Sequence, residues 1–244
     1  MGKVVVVTGA GSGLGRAVAR RLAADGHTLI LLGRTASKIE ALAQELGPPS
    51  LAFQCDVASP DSVRAAFAAI AARHCRIDVL INNAGIYQPF SIKDATDEQI
   101  GGAILTNLAG PIYCTRSALP MLGRGAQIIN ISSETVDKHF AMFSLYQCSK
   151  AGLERFTASL HDEVEPDGIR VTLLRAGQMY DEDMSWTVEP AVMQRFAEEN
   201  IKRGIDVRAR PISHFTSITE LFRVLINLPA DVNLPMVVSE GRHR

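Results

Sequence analysis

The chain has 244 residues, 47% hydrophobic and 21% charged, which is an ordinary soluble composition long enough to bury one large core. A net charge of -1 and an isoelectric point near 6.6 leave no electrostatic footprint for nucleic acid or for an anionic membrane surface. Four cysteines, Cys55, Cys75, Cys114 and Cys148, show no metal-ligand or redox spacing, which argues against zinc, iron–sulfur and disulfide frameworks, and no metal is expected.

The N-terminal apolar run is only four valines long, residues 4–7, and leads straight into Thr8-Gly9. That is too short for a signal peptide or a membrane span, so a cytoplasmic protein is expected. Beyond it, short Val/Ile/Leu-rich runs alternate with longer helical patterns, the mark of βαβ units. Strands are expected at residues 3–8, 28–33, 51–55, 78–82, 126–131, 169–174 and 235–238. Most lack inside/outside alternation, as do strands covered by helices on both faces.

Helices are expected at about 14–25, 35–46, 60–73, 97–122, 145–164 and 217–227. Thr35, Ser59 and Thr96 suit N-caps and Pro60 a first helical position, while Pro111 should kink or divide the fourth helix. The expected fold class is α/β: one Rossmann-type domain over residues 1–244, with a doubly wound parallel sheet of about seven strands flanked by helices.

The stretch 176–216 breaks this rhythm, carrying a possible helix at 189–203 and no strand signal. Long excursions are commonly lids or binding segments, and this one is expected to cover a substrate site. Tyr180, Met184, Trp186, Met193 and Phe196 either face a pocket or simply pack the excursion onto the body. The same two readings stand for His139, Phe140, Met142 and Phe143. Lys202, Arg203, Arg208 and Arg210 read as a solvated face or as a recognition site for an anionic substrate tail.

The first strand ends in a glycine-rich turn, Thr8, Gly9, Gly11, Ser12, Gly13, Leu14 and Gly15, followed by an amphipathic helix. Glycines let backbone amides approach a pyrophosphate, and a helix N-terminus favours its charge, so the turn reads as a dinucleotide or phosphate cradle. Further on, Tyr146 and Lys150 lie four residues apart on one helix face. A cation beside a phenol favours phenolate, so Tyr146 is expected to serve as a general acid/base with its pKa lowered by Lys150.

The spacing Thr8-Gly9, Gly13, Gly15 resembles the glycine motif of the short-chain dehydrogenase/reductase family, of an NADP-preferring type. The resemblance extends to Asp56-Val57, to Asn82-Asn83-Ala84-Gly85, to Asn107, and to Ser133, which lies thirteen residues before Tyr146. It implies a catalytic set of Asn107, Ser133, Tyr146 and Lys150. It implies a cofactor site drawing on Thr8, Gly9, Gly11, Ser12, Gly13, Leu14, Gly15, Asp56, Val57, Asn83, Ala84, Gly85, Tyr146, Lys150 and Gly177. It also implies a homodimer or homotetramer and a small carbonyl or alcohol substrate.

Cofactor choice is read after the second strand, at Gly33 and Arg34. A carboxylate there would accept from a ribose 2′-hydroxyl, whereas Arg34 suits a 2′-phosphate, and NADP(H) is expected although Ser12 is not basic. One departure stands out: Ala176 and Asp181 replace the proline and threonine usual beside Gly177, which puts the nicotinamide contact in question. The expected function is NADP(H)-dependent interconversion of a carbonyl and a secondary alcohol by hydride transfer. The alternative is a catalytically silent NADP-binding regulatory protein on the same fold.

Overall fold

The computed structural model describes residues 2–182 and 188–242. In chain order the first half runs β1 (Val4–Thr8), α1 (Gly13–Ala24), β2 (Thr28–Gly33), α2 (Ala36–Leu46), β3 (Leu51–Gln54), α3 (Pro60–Ala71) and β4 (Ile77–Asn82). The second runs α4 (Asp97–Ile104), α5 (Gly110–Ala118), β5 (Leu122–Ser133), α6 (Ser144–Val164), β6 (Arg170–Ala176), β7 (Met179–Tyr180), α7 (Pro190–Ile201), β8 (Ser213–His214), α8 (Phe215–Asn227) and β9 (Met236–Ser239). Every strand and helix expected from the sequence forms.

Seven strands make one parallel sheet in the order β3-β2-β1-β4-β5-β6-β9. The valine run of β1 shows why the alternation is missing. Val5 and Val7 enter the apolar layer beneath α1 and α8, while Val6 enters the layer beneath α3 and α5, and all three are fully buried. The chain leaves β3 and returns beside β1 as β4, so the C-terminal ends of β1 and β4 flank the crevice where crossovers diverge to opposite faces.

Ser59 and Thr96 cap their helices, Ser59 accepting from Ser62 N and Thr96 exchanging bonds with Gln99 in a capping box. Thr35 stands at the N-cap of α2 without a side-chain cap bond. Pro111 sits in the first turn of α5, and the break precedes it as a π-helical turn at Leu105–Ala109. Proline has no N–H for the carbonyl four residues earlier, that of Asn107, and the ladder widens across that residue. The excursion contains α7, near the helix expected there, and a two-residue parallel pairing of β7 with β8, for which the sequence carries no run. Met184 and Trp186 lie outside the described residues. No helix among the described residues is long and apolar enough to cross a membrane.

Candidate active site

The glycine turn is shaped by two positions. Gly9 has φ +66°, and a Cβ at Gly15 would lie 2.4 Å from Gly9 O and 2.5 Å from Asn83 Nδ2. Asn83 fixes this approach, its Nδ2 donating to Thr8 O at 3.0 Å. Thr8 Oγ1 accepts from the Asn83 and Ala84 amides at 3.0 Å each. The ends of β1 and β4 are thereby stitched together.

Ser12 caps α1 by position only, with no side-chain bond, and no acidic residue stands in the first turn. The opening amides of α1 therefore have no intrahelical acceptor and no local carboxylate competing with an anion. The turn lines a cleft of about 490 Å³ that runs from Arg34 to Arg210 across the C-terminal edge of the sheet.

At one end the cleft meets Gly33, Arg34, Thr35, Lys38, Asp56 and Val57. Arg34 and Lys38 are exposed, and the one carboxylate on this wall, Asp56, accepts from Ala58 N at 3.0 Å. Two unopposed cations at this end suit a phosphate better than a ribose hydroxyl. Lys38 was not among the residues expected from the sequence; it stands in the first turn of α2, just after the Gly33-Arg34-Thr35 turn.

Tyr146, Ser133 and Lys150 meet at the middle of the cleft. Ser133 ends β5 and accepts from Thr135 N at 3.2 Å. Behind it, Ser132 Oγ donates to Glu154 Oε1 at 2.6 Å, and Arg175 on β6 binds the same carboxylate through Nε and Nη2 at 3.0 and 2.6 Å. Glu154 shares the Tyr146–Lys150 face of α6, so this pair bolts the helix to the strand ends.

Lys150 Nζ donates to Ile131 O at 2.7 Å and lies 5.9 Å from the Tyr146 ring centroid. Burial pushes its ammonium down to about 8. Burial likewise pushes Tyr146 up to about 12, against the lowering effect of Ser133 and with the charges of Tyr87 and Glu134 adding to the rise. The expected lowering by Lys150 is not found in this structure. Desolvation of the phenol is the largest cause of the rise, and the Lys150 ammonium directs its hydrogen bond at the Ile131 carbonyl. At neutral pH Tyr146 is a phenol, a proton donor.

Asn107 lies in the π-helical turn, fully buried. Its Oδ1 accepts from Ile86 N and its Nδ2 donates to Ile86 O, both at 2.8 Å, and Nδ2 also reaches Ser149 Oγ at 3.2 Å. Gly85 is the link to the lysine: a Cβ there would meet Asn107 Oδ1 at 3.3 Å and Lys150 Nζ at 3.6 Å.

Ala176 and Gly177 line the cleft, but Asp181 does not. Its carboxylate is held by Arg16 Nη2 of α1 at 3.3 Å. Gln178 and Met179 stand on the wall instead. Phe140, Phe143 and Phe196 form a buried cluster against Tyr146, with Phe143 4.8 Å from Phe196 between ring centroids. Phe140, Phe143 and Phe196 thus pack together and face the cleft at once; Met193 packs on the cluster, and Tyr180 turns its ring edge to His214. Glu134, buried and directly after Ser133, is a further cleft residue that the sequence reading missed.

Comparison with known proteins places this geometry. The family model for short chain dehydrogenase matches residues 3–192. The chain is 32% identical over 237 residues, 96% of its length and 93% of the other's, to the NADP-dependent 3-hydroxy acid dehydrogenase of Salmonella typhi. It is 34% identical over 196 residues, 80% of its length and 83% of the other's, to carbonyl reductase family member 4 of Danio rerio. A short chain dehydrogenase from Burkholderia cenocepacia in complex with NADP superposes with a TM-score of 0.84 at 28% identity, over 99% of this chain and 97% of that one. Motif, sheet order and relatives agree, and the chain belongs to the short-chain dehydrogenase/reductase family of oxidoreductases.

Proposed function

We propose that the protein is an NADP(H)-dependent oxidoreductase that interconverts a carbonyl and a secondary alcohol on a small organic substrate. The observation that carries this reading is that Tyr146, Ser133 and Lys150 line the same cleft as the glycine cradle. The open amides of α1 and the cations Arg34 and Lys38 suit a dinucleotide phosphate, and the NADP dependence of the Salmonella typhi relative supports the same choice. When bound, the nicotinamide supplies the hydride for reduction or accepts it in oxidation.

The chain's own residues then manage the oxygen. Ser133 Oγ hydrogen-bonds the substrate oxygen, and Tyr146 Oη passes its proton to that oxygen as the carbonyl carbon gains its hydride. In oxidation Tyr146 first gives up its own proton, and its phenolate oxygen then receives the alcohol's proton while Ser133 Oγ holds the oxygen. Lys150 supports the ribose side and Asn107 keeps the lysine wall in place. Residues 176–216 serve as the substrate-binding lid, and the protein acts in the cytoplasm as a homodimer or homotetramer.

Tyr146→Phe tests the core of this reading: NADPH affinity should stay within about twofold while turnover falls by roughly 10²–10⁴. A variant as active as the parent would remove Tyr146 as the acid/base. The silent-binder alternative draws on Asp181, which pairs with Arg16 and does not line the cleft. It would be favoured by an NADPH-binding protein inert toward a broad panel of ketones and aldehydes.

A further inference from the structure

The four cations of the excursion separate clearly in space. Lys202 pairs with Glu199 at 2.6 Å on an outer face, and Arg203 and Arg208 are exposed. Arg210 alone among them lines the cleft, with its side chain 17% exposed. Its guanidinium lies over the Phe140 ring, 4.9 Å from the centroid, and one Nη2 donates to Glu134.

That single bond does not use up the guanidinium. Glu134 Oε2 also takes Lys138 Nζ at 2.6 Å, and its Oε1 accepts from Gln178 N at 3.1 Å. Lys138 reaches Glu240 at 2.9 Å as well. Lys138 and Arg210 together balance Glu134 and Glu240, so what Arg210 has to offer is its remaining N–H groups rather than surplus charge. Of its five N–H donors, those on Nε and Nη1 have no hydrogen-bond partner among the described residues. Nη2 keeps a second N–H, which forms a planar two-donor edge with Nη1 or with Nε, and such an edge matches the two oxygens of a carboxylate. The Phe140 face beneath fixes that plane and thins its hydration, which strengthens an ion pair made there.

The position fits the reacting atoms. Glu134 follows Ser133 in sequence and anchors Arg210, so the guanidinium is held through the residue next to Ser133 and lines the same cleft as the Ser133–Tyr146 pair. Phe143 and Phe196 complete an apolar wall beside them.

We propose that Arg210 determines specificity by receiving a carboxylate, so that the substrate is a short oxo acid or the corresponding hydroxy acid. Its carboxylate pairs with Arg210 while its carbonyl oxygen meets Ser133 and Tyr146, and its carbon chain lies on Phe143 and Phe196. This inference rests on the oxidoreductase reading above.

The test uses two substrates that differ in charge, acetoacetate and methyl acetoacetate, reduced with NADPH by the full-length protein. The wild type should favour the acid in kcat/KM by about tenfold or more, and Arg210→Met should erase that preference through KM while leaving the ester within about twofold. Arg210→Lys should fall between them, since it keeps the charge and loses the fork. Butyrate should bind the NADP-loaded wild type in calorimetry and fail to bind Arg210→Met. Equal or better turnover of the ester by the wild type, or an equal loss on both substrates in Arg210→Met, would overturn the carboxylate proposal alone. A wild type inert toward both, and toward neutral ketones as well, would overturn the oxidoreductase reading and this inference with it.

Discussion

The crevice between β1 and β4 and the excursion after β6 build their halves of the cleft in different ways. Around the crevice, positions are set by backbone: Thr8, Asn83 and Ala84 are tied by main-chain and short side-chain bonds at 3.0 Å, and the glycines leave no room for adjustment. In the excursion, positions are set by side chains reaching across long sequence gaps, as Arg16 reaches Asp181 and Arg210 reaches Glu134. The first kind of wall tolerates almost no substitution and the second tolerates many. A cofactor common to a family and a substrate that varies within it ask for those two kinds of wall.

The sharpest way to break the crevice is Gly15→Ala. A Cβ 2.4 Å from a backbone oxygen has nowhere to move, so a stability loss of about 3 kcal/mol and lost NADPH binding are expected, read by denaturant melts and fluorescence titration. Lys150 offers a comparable effect with a pH signature. Its folded value of about 8 lies below the ordinary 10.5, so between those values the unfolded chain binds more protons and stability rises with pH. The full rise is at most roughly 3 kcal/mol. Because burial also raises the Cys55 and Cys114 thiols, which lowers stability above about pH 9, the check is the difference in melting temperature between wild type and Lys150→Met, and an equal pH slope in both from pH 8 to 10 would contradict it.

Arg34→Ala should weaken NADPH by about tenfold and leave NADH unchanged, since only the 2′-phosphate loses a partner. An unaltered preference would reassign cofactor choice to Lys38. The smallest effect is expected from Asp181→Asn. Its ion pair with Arg16 is partly exposed and worth about 0.5–1 kcal/mol, so stability should fall slightly and kcat hold within about twofold. A tenfold drop in kcat would mean that Asp181 reaches the nicotinamide after all.

The same contrast governs what could be read from the sequence. The strands of the sheet were legible because burial on both faces demands unbroken apolar runs, as in residues 4–7 and 28–33, and the glycine cradle because its backbone admits few other residues. Ser133, Tyr146 and Lys150 meet as their spacing implied. The protonation of Tyr146 was not legible, because it turns on desolvation in the folded interior, which spacing does not encode. The π-helical turn at Asn107 was only half legible: Pro111 announced a break, but where the ladder widens depends on the amide bonds of Asn107 to Ile86. Lys38, Glu134 and the fate of Arg210 needed the fold, since each takes its meaning from partners supplied by other elements.

The tether between α7 and the Phe140–Phe143 loop carries a consequence for evolution. Asn200 is fully buried, its Oδ1 accepts from Ala141 N at 2.9 Å, and its Nδ2 donates to Phe196 O at 2.7 Å. One amide side chain thus holds both segments that supply the apolar wall, and neither segment belongs to the sheet. Exchange of residues along α7 can reshape the accepted carbon skeleton while the strand register and the proton donor stay as they are. Innovation in such a protein is modular, and Asn200 is the joint at which a new module would be fastened.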